Sequence, residues 1–132
     1  MKEQPKTGAV WFEIPCADLE RAAQFYETIL DRRMTKDDDF GDPMNSKDKM
    51  RMFPAAPGGV SGALVKRPFR KPGGGGTMVY LNCDGELDAV IGRVREAGGL
   101  ILMPRTPVPG GYGAFACLKD TEGNHIGLHT SI

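Results

Sequence analysis

The chain has 132 residues, 17 of them Lys or Arg and 17 Asp or Glu, so its formal net charge is zero. That length is one ordinary domain with room for a real core, and the balanced charge lacks the basic excess or stripe of a nucleic-acid binder. No run approaches the roughly 18 apolar residues of a membrane span, and the polar opening from Met1 to Thr7 has no apolar signal core. A cytoplasmic protein with no nucleic-acid or membrane partner is expected.

Ala9 to Cys16 reads as a strand, with Phe12 and Ile14 on one face and Trp11 and Glu13 on the other. Asp18 follows as a helix N-cap. Leu19, Ala22, Ala23 and Tyr26 then fall at helical spacing, continued by Ile29 and Leu30, the pattern of a one-sided helix packed on a sheet. Met34 to Met50 is polar. Its Asp37, Asp38, Asp39 and Asp42 lack the alternation and closing Glu of a calcium loop, Phe40 interrupting and Asp48 standing last, so a solvated loop is expected. Short strands follow at about Lys49 to Phe53 and Val60 to Lys66.

Arg67 to Gly76 is rich in Pro and Gly. Its Gly73–Gly76 run lacks the GK[ST] ending and following helix of a phosphate loop, and reads as a flexible connector. After it the order repeats. Thr77 to Cys83 alternates, with Met78, Tyr80 and Asn82 on one face and Val79 and Leu81 on the other. Asp84 is a candidate cap. Leu87, Val90, Ile91 and Val94 repeat the helical stripe, and Gly98 and Gly99 end it. Leu100 to Met103 is a strand, Pro104 to Gly111 a loop, and Ala114 to Leu118 a strand. The turn at 120–124 leads into a last strand, His125 to Thr130.

The chain therefore reads β-α-β-β-β, connector, β-α-β-β-β. The expected fold is α+β: two βαβββ modules, at about 8–67 and 77–131 with the connector at 68–76, forming a cup-shaped curved mixed sheet with helices outside, in a single domain. Cys16, Cys83 and Cys117 are isolated and odd in number, and read as small packing residues rather than disulfide or zinc partners.

The segment from Phe12 to Tyr26, with its D-L-x-R-A-x-x-F-Y pattern from Asp18, resembles the opening strand and helix of the glyoxalase, bleomycin-resistance and extradiol-dioxygenase superfamily, also called vicinal oxygen chelate. The segment Asp120 to Leu128, with D-x-x-G-N, resembles its closing turn and strand. The resemblance runs from about residue 9 to 130 and is closest to small glyoxalase-like bacterial proteins. It implies paired βαβββ modules around a cup that holds a divalent metal on His and Glu, acting as a Lewis acid. Carried over one position at a time, the usual first-strand His lands on Trp11, the fifth-strand His on Met78 and the last-strand Glu on Gly127. Val60 to Val65, which spans the fourth-strand ligand, holds no His, Glu, Asp or Cys. Indole and glycine offer no ligand, and the Met thioether is soft. No metal ligand and no cofactor are therefore assigned.

Alternation puts Trp11, Glu13, Met78, Tyr80, Asn82, His125, Gly127 and His129 on the cup face, a mixed aromatic and polar wall suited to a small molecule. His125 and His129 lie four apart on a strand, roughly 13 Å between Cα atoms at the ordinary rise, so they do not grip one ion together. A relocated metal site would need one of them, Glu13, and a third group such as Asp84 or Glu122. Glu13 with His129 is the candidate general acid/base pair, against Glu13 held by backbone or Arg51 and an exposed His129. Arg51 points either into the cup to bind an anion or outward into solvent. Tyr112, among Gly110, Gly111 and Gly113, is either a lid over the cup or a turn aromatic.

Three functions compete: a metal-free small-molecule-binding protein, a lyase, isomerase or dioxygenase-type enzyme (metal-free through Glu13 and His129, or with a relocated metal), and a module whose cup is vestigial. The resemblance also implies a homodimer.

Overall fold

The computed structural model describes residues 2–35 and 49–132. In chain order its elements are β1 (Trp11–Pro15), α1 (Leu19–Leu30), β2 (Lys49–Met52), β3 (Ser61–Lys66), β4 (Tyr80–Asn82), α2 (Leu87–Val94), β5 (Leu100–Pro107), β6 (Ala114–Lys119) and β7 (His125–Thr130). The reading of Asp37 to Asp48 as a solvated loop lies outside the described residues.

The two halves repeat one topology. The first sheet has strand order β1-β3-β2 and the second β4-β7-β6-β5. In each, the first strand pairs parallel with the last: β1 with β3, and β4 with β7. The remaining ladders are antiparallel. Thr35 adds an isolated antiparallel bridge to Met52, at the position β5 holds in the second half. Among the described residues the first half thus shows three strands and a bridge where four strands are expected. The architecture is α+β, two unclosed curved sheets carrying one helix each.

Burial follows the alternation. Ile14 and Leu64, then Leu81, Ala116, Leu118, Ile126 and Leu128, face the helices and are buried with Leu19, Ala22, Ala23, Tyr26 and Ile29 of α1 and Leu87, Val90 and Val94 of α2. One core therefore crosses from half to half. Phe25, which lies off the expected stripe, is buried too. Its ring stacks edge-on to Tyr26 at 5.0 Å and lies under Gly99, where an added Cβ would come within 2.8 Å of both the ring and the Lys119 carbonyl. That close approach between halves explains a glycine after α2 that turn chemistry alone does not require.

The turn at 120–124 locks the halves together. Asp120 is buried; its Oδ1 accepts the Glu122 and Asn124 N–H groups at 2.9 and 2.8 Å, and its Oδ2 accepts the Tyr26 hydroxyl at 2.6 Å. Gly123 supplies the left-handed step at φ 91°. Glu122 then lies at the start of α1. Its Oε1 accepts the Ala17 and Asp18 N–H groups at 2.9 and 2.8 Å, and Arg21 Nε donates to its Oε2 at 2.7 Å. Burial opposes its ionised form, but hydrogen bonds from Arg21, Asp18, Thr121 and Ala17 and the positive end of the helix favour it, so its pKa falls from 4.5 to about 2. Asp18 caps the same helix end by accepting the Arg21 N–H at 3.0 Å.

Three local expectations are corrected. Asp84 does not cap α2: the helix begins after Glu86 without a side-chain cap, and Asp84 accepts the Ser131 N–H at 2.6 Å instead. The segment from Pro104 is not yet loop, because β5 continues to Pro107. It is an edge strand with two register shifts, where a proline without an N–H is tolerated. The strand expected over Thr77 to Cys83 is paired only at Tyr80–Asn82.

Candidate functional site

The face of each sheet away from the helices carries the residues assigned to the cup. On β1 these are Trp11 and Glu13, on β4 Tyr80 and Asn82, and on β7 His125, Gly127 and His129. The structure does not gather them in one place; it divides them among three cavities.

The first is an open cleft of about 610 Å³ on the second sheet, lined by Tyr80, Asn82, Asp84, Val108, Phe115 and His129, with Ser131 at its edge. Tyr80 and Phe115 meet edge to face, with ring centroids 6.2 Å apart. Tyr80 is the register partner of Gly127, and a Cβ on Gly127 would overlap the Tyr80 ring. Glycine at that position is what lets the phenol lie flat on the sheet. His129 Nε2 lies 2.8 Å from the Tyr112 carbonyl oxygen. A carbonyl only accepts, so Nε2 carries a proton, and in the neutral tautomer Nδ1 is then the lone-pair nitrogen. Asn82 Oδ1 accepts the Asp84 N–H at 2.9 Å. Asp84 is held below the usual carboxylate range, first by the hydrogen bond from the Ser131 N–H.

The second cavity, about 790 Å³, runs between the halves and is lined by Trp11, Phe12, Phe53, Met78, Tyr80 and Asn82 among others. Tyr80 and Asn82 form the shared wall between it and the first cleft. The third, about 300 Å³, lies under the connector with Glu13, Lys71, Asn124 and His125 on its walls. There the connector passes over His125, a Cβ on Gly74 falling within 2.7 Å of the imidazole, and Asn124 Oδ1 accepts the Gly73 N–H at 3.0 Å.

Glu13 and His129 do not form a pair. Glu13 Oε1 accepts from the Arg67 guanidinium at 2.6 Å, and its Oε2 from the Trp11 indole N–H at 3.2 Å. The Arg67 side chain is only 7% exposed, while that of Glu13 is 34% exposed, so the guanidinium side of the pair is the buried one. The expected acid/base couple is corrected on that ground: β1 and β7 belong to different sheets, and each residue has another partner. Arg51 is corrected as well. It is the register partner of Leu64, which faces the helices, and its guanidinium pairs with Glu20 of α1. Arg51 thus lies on the helix side and not in the cup. The Tyr112 side chain is exposed, packs over Gly110 and does not line the cleft; its carbonyl is what reaches the site, through His129.

Phe115, Val108 and Ser131 went unassigned from sequence, and Asp84 was expected as a helix cap or a relocated metal ligand rather than as part of this cleft. Phe115 carries a legible signal, since Phe115, Cys117 and Lys119 alternate with the buried Ala114, Ala116 and Leu118. Val108 and Ser131 lie just beyond strand ends, where alternation gives no direction.

A divalent ion in such a cup needs several convergent hard or borderline donors. Of the positions assigned to it by resemblance, Trp11 presents only an N–H donor, Met78 only a thioether, and Gly127 no side chain with the Tyr80 ring above it. Of the groups named for a relocated site, Glu122 is bound at the start of α1, Asp84 lines a different cavity from Glu13, and no three His, Cys, Asp or Glu side chains among the described residues stand close enough to hold an ion. Among the described residues, the groups present do not fit the metal.

A family model described as the Glyoxalase/Bleomycin resistance protein/Dioxygenase superfamily matches residues 8–128. Among solved structures, a hypothetical protein from S. aureus is 23% identical with a TM-score of 0.65, 96% of each chain being covered. A glyoxalase/bleomycin resistance protein/dioxygenase domain from Frankia sp. EAN1pec is 16% identical with a TM-score of 0.68, covering 96% of this chain and 98% of that one. A glyoxalase/bleomycin resistance protein/dioxygenase family enzyme from Burkholderia phytofirmans PsJN is 13% identical with a TM-score of 0.67, at 93% and 98% coverage. At these identities the likeness is one of fold. No protein of curated function matches the chain by sequence.

Proposed function

The chain belongs to the glyoxalase/bleomycin resistance protein/dioxygenase superfamily, and from that footing we propose that it is a binding protein for a small aromatic molecule that works without the superfamily's divalent metal. The observation that carries this reading is the Tyr80 ring lying over Gly127, where the resemblance puts the last-strand Glu. An aromatic surface takes the place of a ligating carboxylate. Beside it Phe115 supplies a second ring, and Asn82 and His129 supply polar groups for orientation. An apolar cleft with a few convergent polar groups is the usual make-up of a small-molecule site, and aromatic faces give much of the contact energy.

The enzyme alternative through Glu13 and His129 is not favoured, because Glu13 is bound to Arg67 and Trp11. A cytoplasmic home is consistent with three free cysteines, and among the described residues no helix is long and apolar enough to cross a membrane. A homodimer is supported by exposed apolar side chains along the edge strand β5, Leu100, Leu102 and Met103.

The reading is tested by ligand titration before and after dialysis against EDTA. Binding of aromatic probes unchanged by chelation is expected. Loss of binding on chelation, restored by a divalent ion, overturns it.

A further inference from the structure

The polar groups of the Tyr80–Phe115 cleft have fixed hydrogen-bond polarities. Asn82 and His129 are register partners on the parallel β4–β7 ladder, and both lie on the open face. Neighbouring strands run about 4.8 Å apart, so the two side chains stand side by side. Asn82 Oδ1 is engaged by the Asp84 N–H, which leaves its Nδ2 hydrogens to donate. His129 Nε2–H is engaged by the Tyr112 carbonyl, which in the neutral tautomer leaves Nδ1 to accept. Neither Asn82 Nδ2 nor His129 Nδ1 has a hydrogen-bond partner among the described residues. Asp84 lines the same cleft, and the Ser131 N–H stabilises its ionised form.

A donor and an acceptor held side by side match a ligand edge that presents an acceptor next to a donor. A planar lactam or cis-amide has that edge, with its carbonyl toward Asn82 and its N–H toward His129. The flanking Tyr80 and Phe115 rings suit a flat body, and the Asp84 carboxylate disfavours an anion. We propose that the cleft recognises a neutral, planar heteroaromatic compound through a lactam-type C(=O)–NH edge read by Asn82 and His129. This names the ligand class of the binding reading above and rests on it.

The test titrates the intact chain by calorimetry with three bicyclic probes: 2-quinolone, which has the edge; N-methyl-2-quinolone, which keeps the carbonyl but lacks the N–H; and quinoline, which lacks both the carbonyl and the N–H. The expected result is that 2-quinolone binds about tenfold or more tightly than either analogue, the order expected for one hydrogen bond in a partly dry cleft. Asn82→Asp, which keeps the acceptor for the Asp84 N–H but removes the donor, and His129→Phe, which keeps a ring, should each erase that preference. Equal binding of all three probes to the intact chain overturns the lactam edge and leaves an aromatic cleft standing. Binding of none of them overturns both. The probe comparison needs no variant, so it decides the matter even if a substituted chain fails to fold.

Discussion

Arg21 and Glu122, 101 positions apart, meet at 2.7 Å where the closing turn of the second half covers the first turn of α1. The Glu122 side chain is fully covered, and besides Arg21 it accepts the Ala17 and Asp18 backbone N–H groups. The contact joins the two sequence segments that carry the family resemblance. In this chain they form a clamp between halves.

The clamp predicts a pH-dependent stability. Glu122 has a folded pKa of about 2 against 4.5 for the free side chain. A lowered folded pKa contributes stability that is fully present above pH 4.5 and is lost as pH falls toward 2. The shift corresponds to about 3 kcal/mol as an order of magnitude. Urea unfolding between pH 7 and pH 3 should show stability falling below pH 4.5 in the parent, and Glu122→Gln should be less stable at pH 7 with a flatter profile. An identical slope in both would remove Glu122 from the account.

Tyr26→Phe tests the other arm of the same turn. The hydroxyl is buried and donates to Asp120 Oδ2 at 2.6 Å. Asp120 keeps the Glu122 and Asn124 N–H groups and Asn124 Nδ2. A loss of about 1–2 kcal/mol is expected from denaturant titration, with an unchanged circular dichroism spectrum.

Gly127→Ala places a methyl group where the Tyr80 ring now lies. Crowding of this kind costs about 1–3 kcal/mol. In a double-mutant cycle the Tyr80→Ala background should relieve most of that cost, because the ring is the obstacle. Additive effects would mean that the ring does not rest on Gly127.

Glu13→Gln should loosen the Arg67 and Trp11 contacts yet leave affinity for an aromatic probe within about twofold, since Glu13 lies outside the Tyr80–Phe115 cleft. Phe115→Ala should weaken the same probe by about tenfold, within the range of one aromatic contact. Isothermal titration of the two variants with quinoline separates the two clefts.

Most of the fold was legible because two periods dominate the chain. The helical stripe from Leu19 to Leu30 is buried as expected, with Phe25 added, and the alternation from His125 to Thr130 holds except at Gly127, which is buried. Alternation also put Trp11, Glu13, Tyr80 and Asn82 on the open face. It could not say which open-face residues share a cavity, because that depends on how the two sheets meet. Glu13 and His129 have the right residue types but lie on different sheets, a separation no local pattern records. Arg51 carried no facing signal beyond its neighbours Met50 and Met52, and the ladder to Leu64 decides its side. Asp84 looked like a helix cap because it precedes an apolar stripe, whereas the Ser131 N–H at the end of β7 holds it. The exchange of a ligating position for an aromatic one was visible as Gly127, but its reason, the Tyr80 ring, required the β4–β7 register.

Native mass spectrometry most directly tests whether this cup binds an organic molecule without a metal ion. The protein is purified without added metal, then measured again after incubation with nickel, zinc, manganese and ferrous iron. The account predicts no stoichiometric metal under any of these conditions, and an added mass with 2-quinolone that survives chelation. One metal ion retained per chain, with ligand binding dependent on it, would contradict the account.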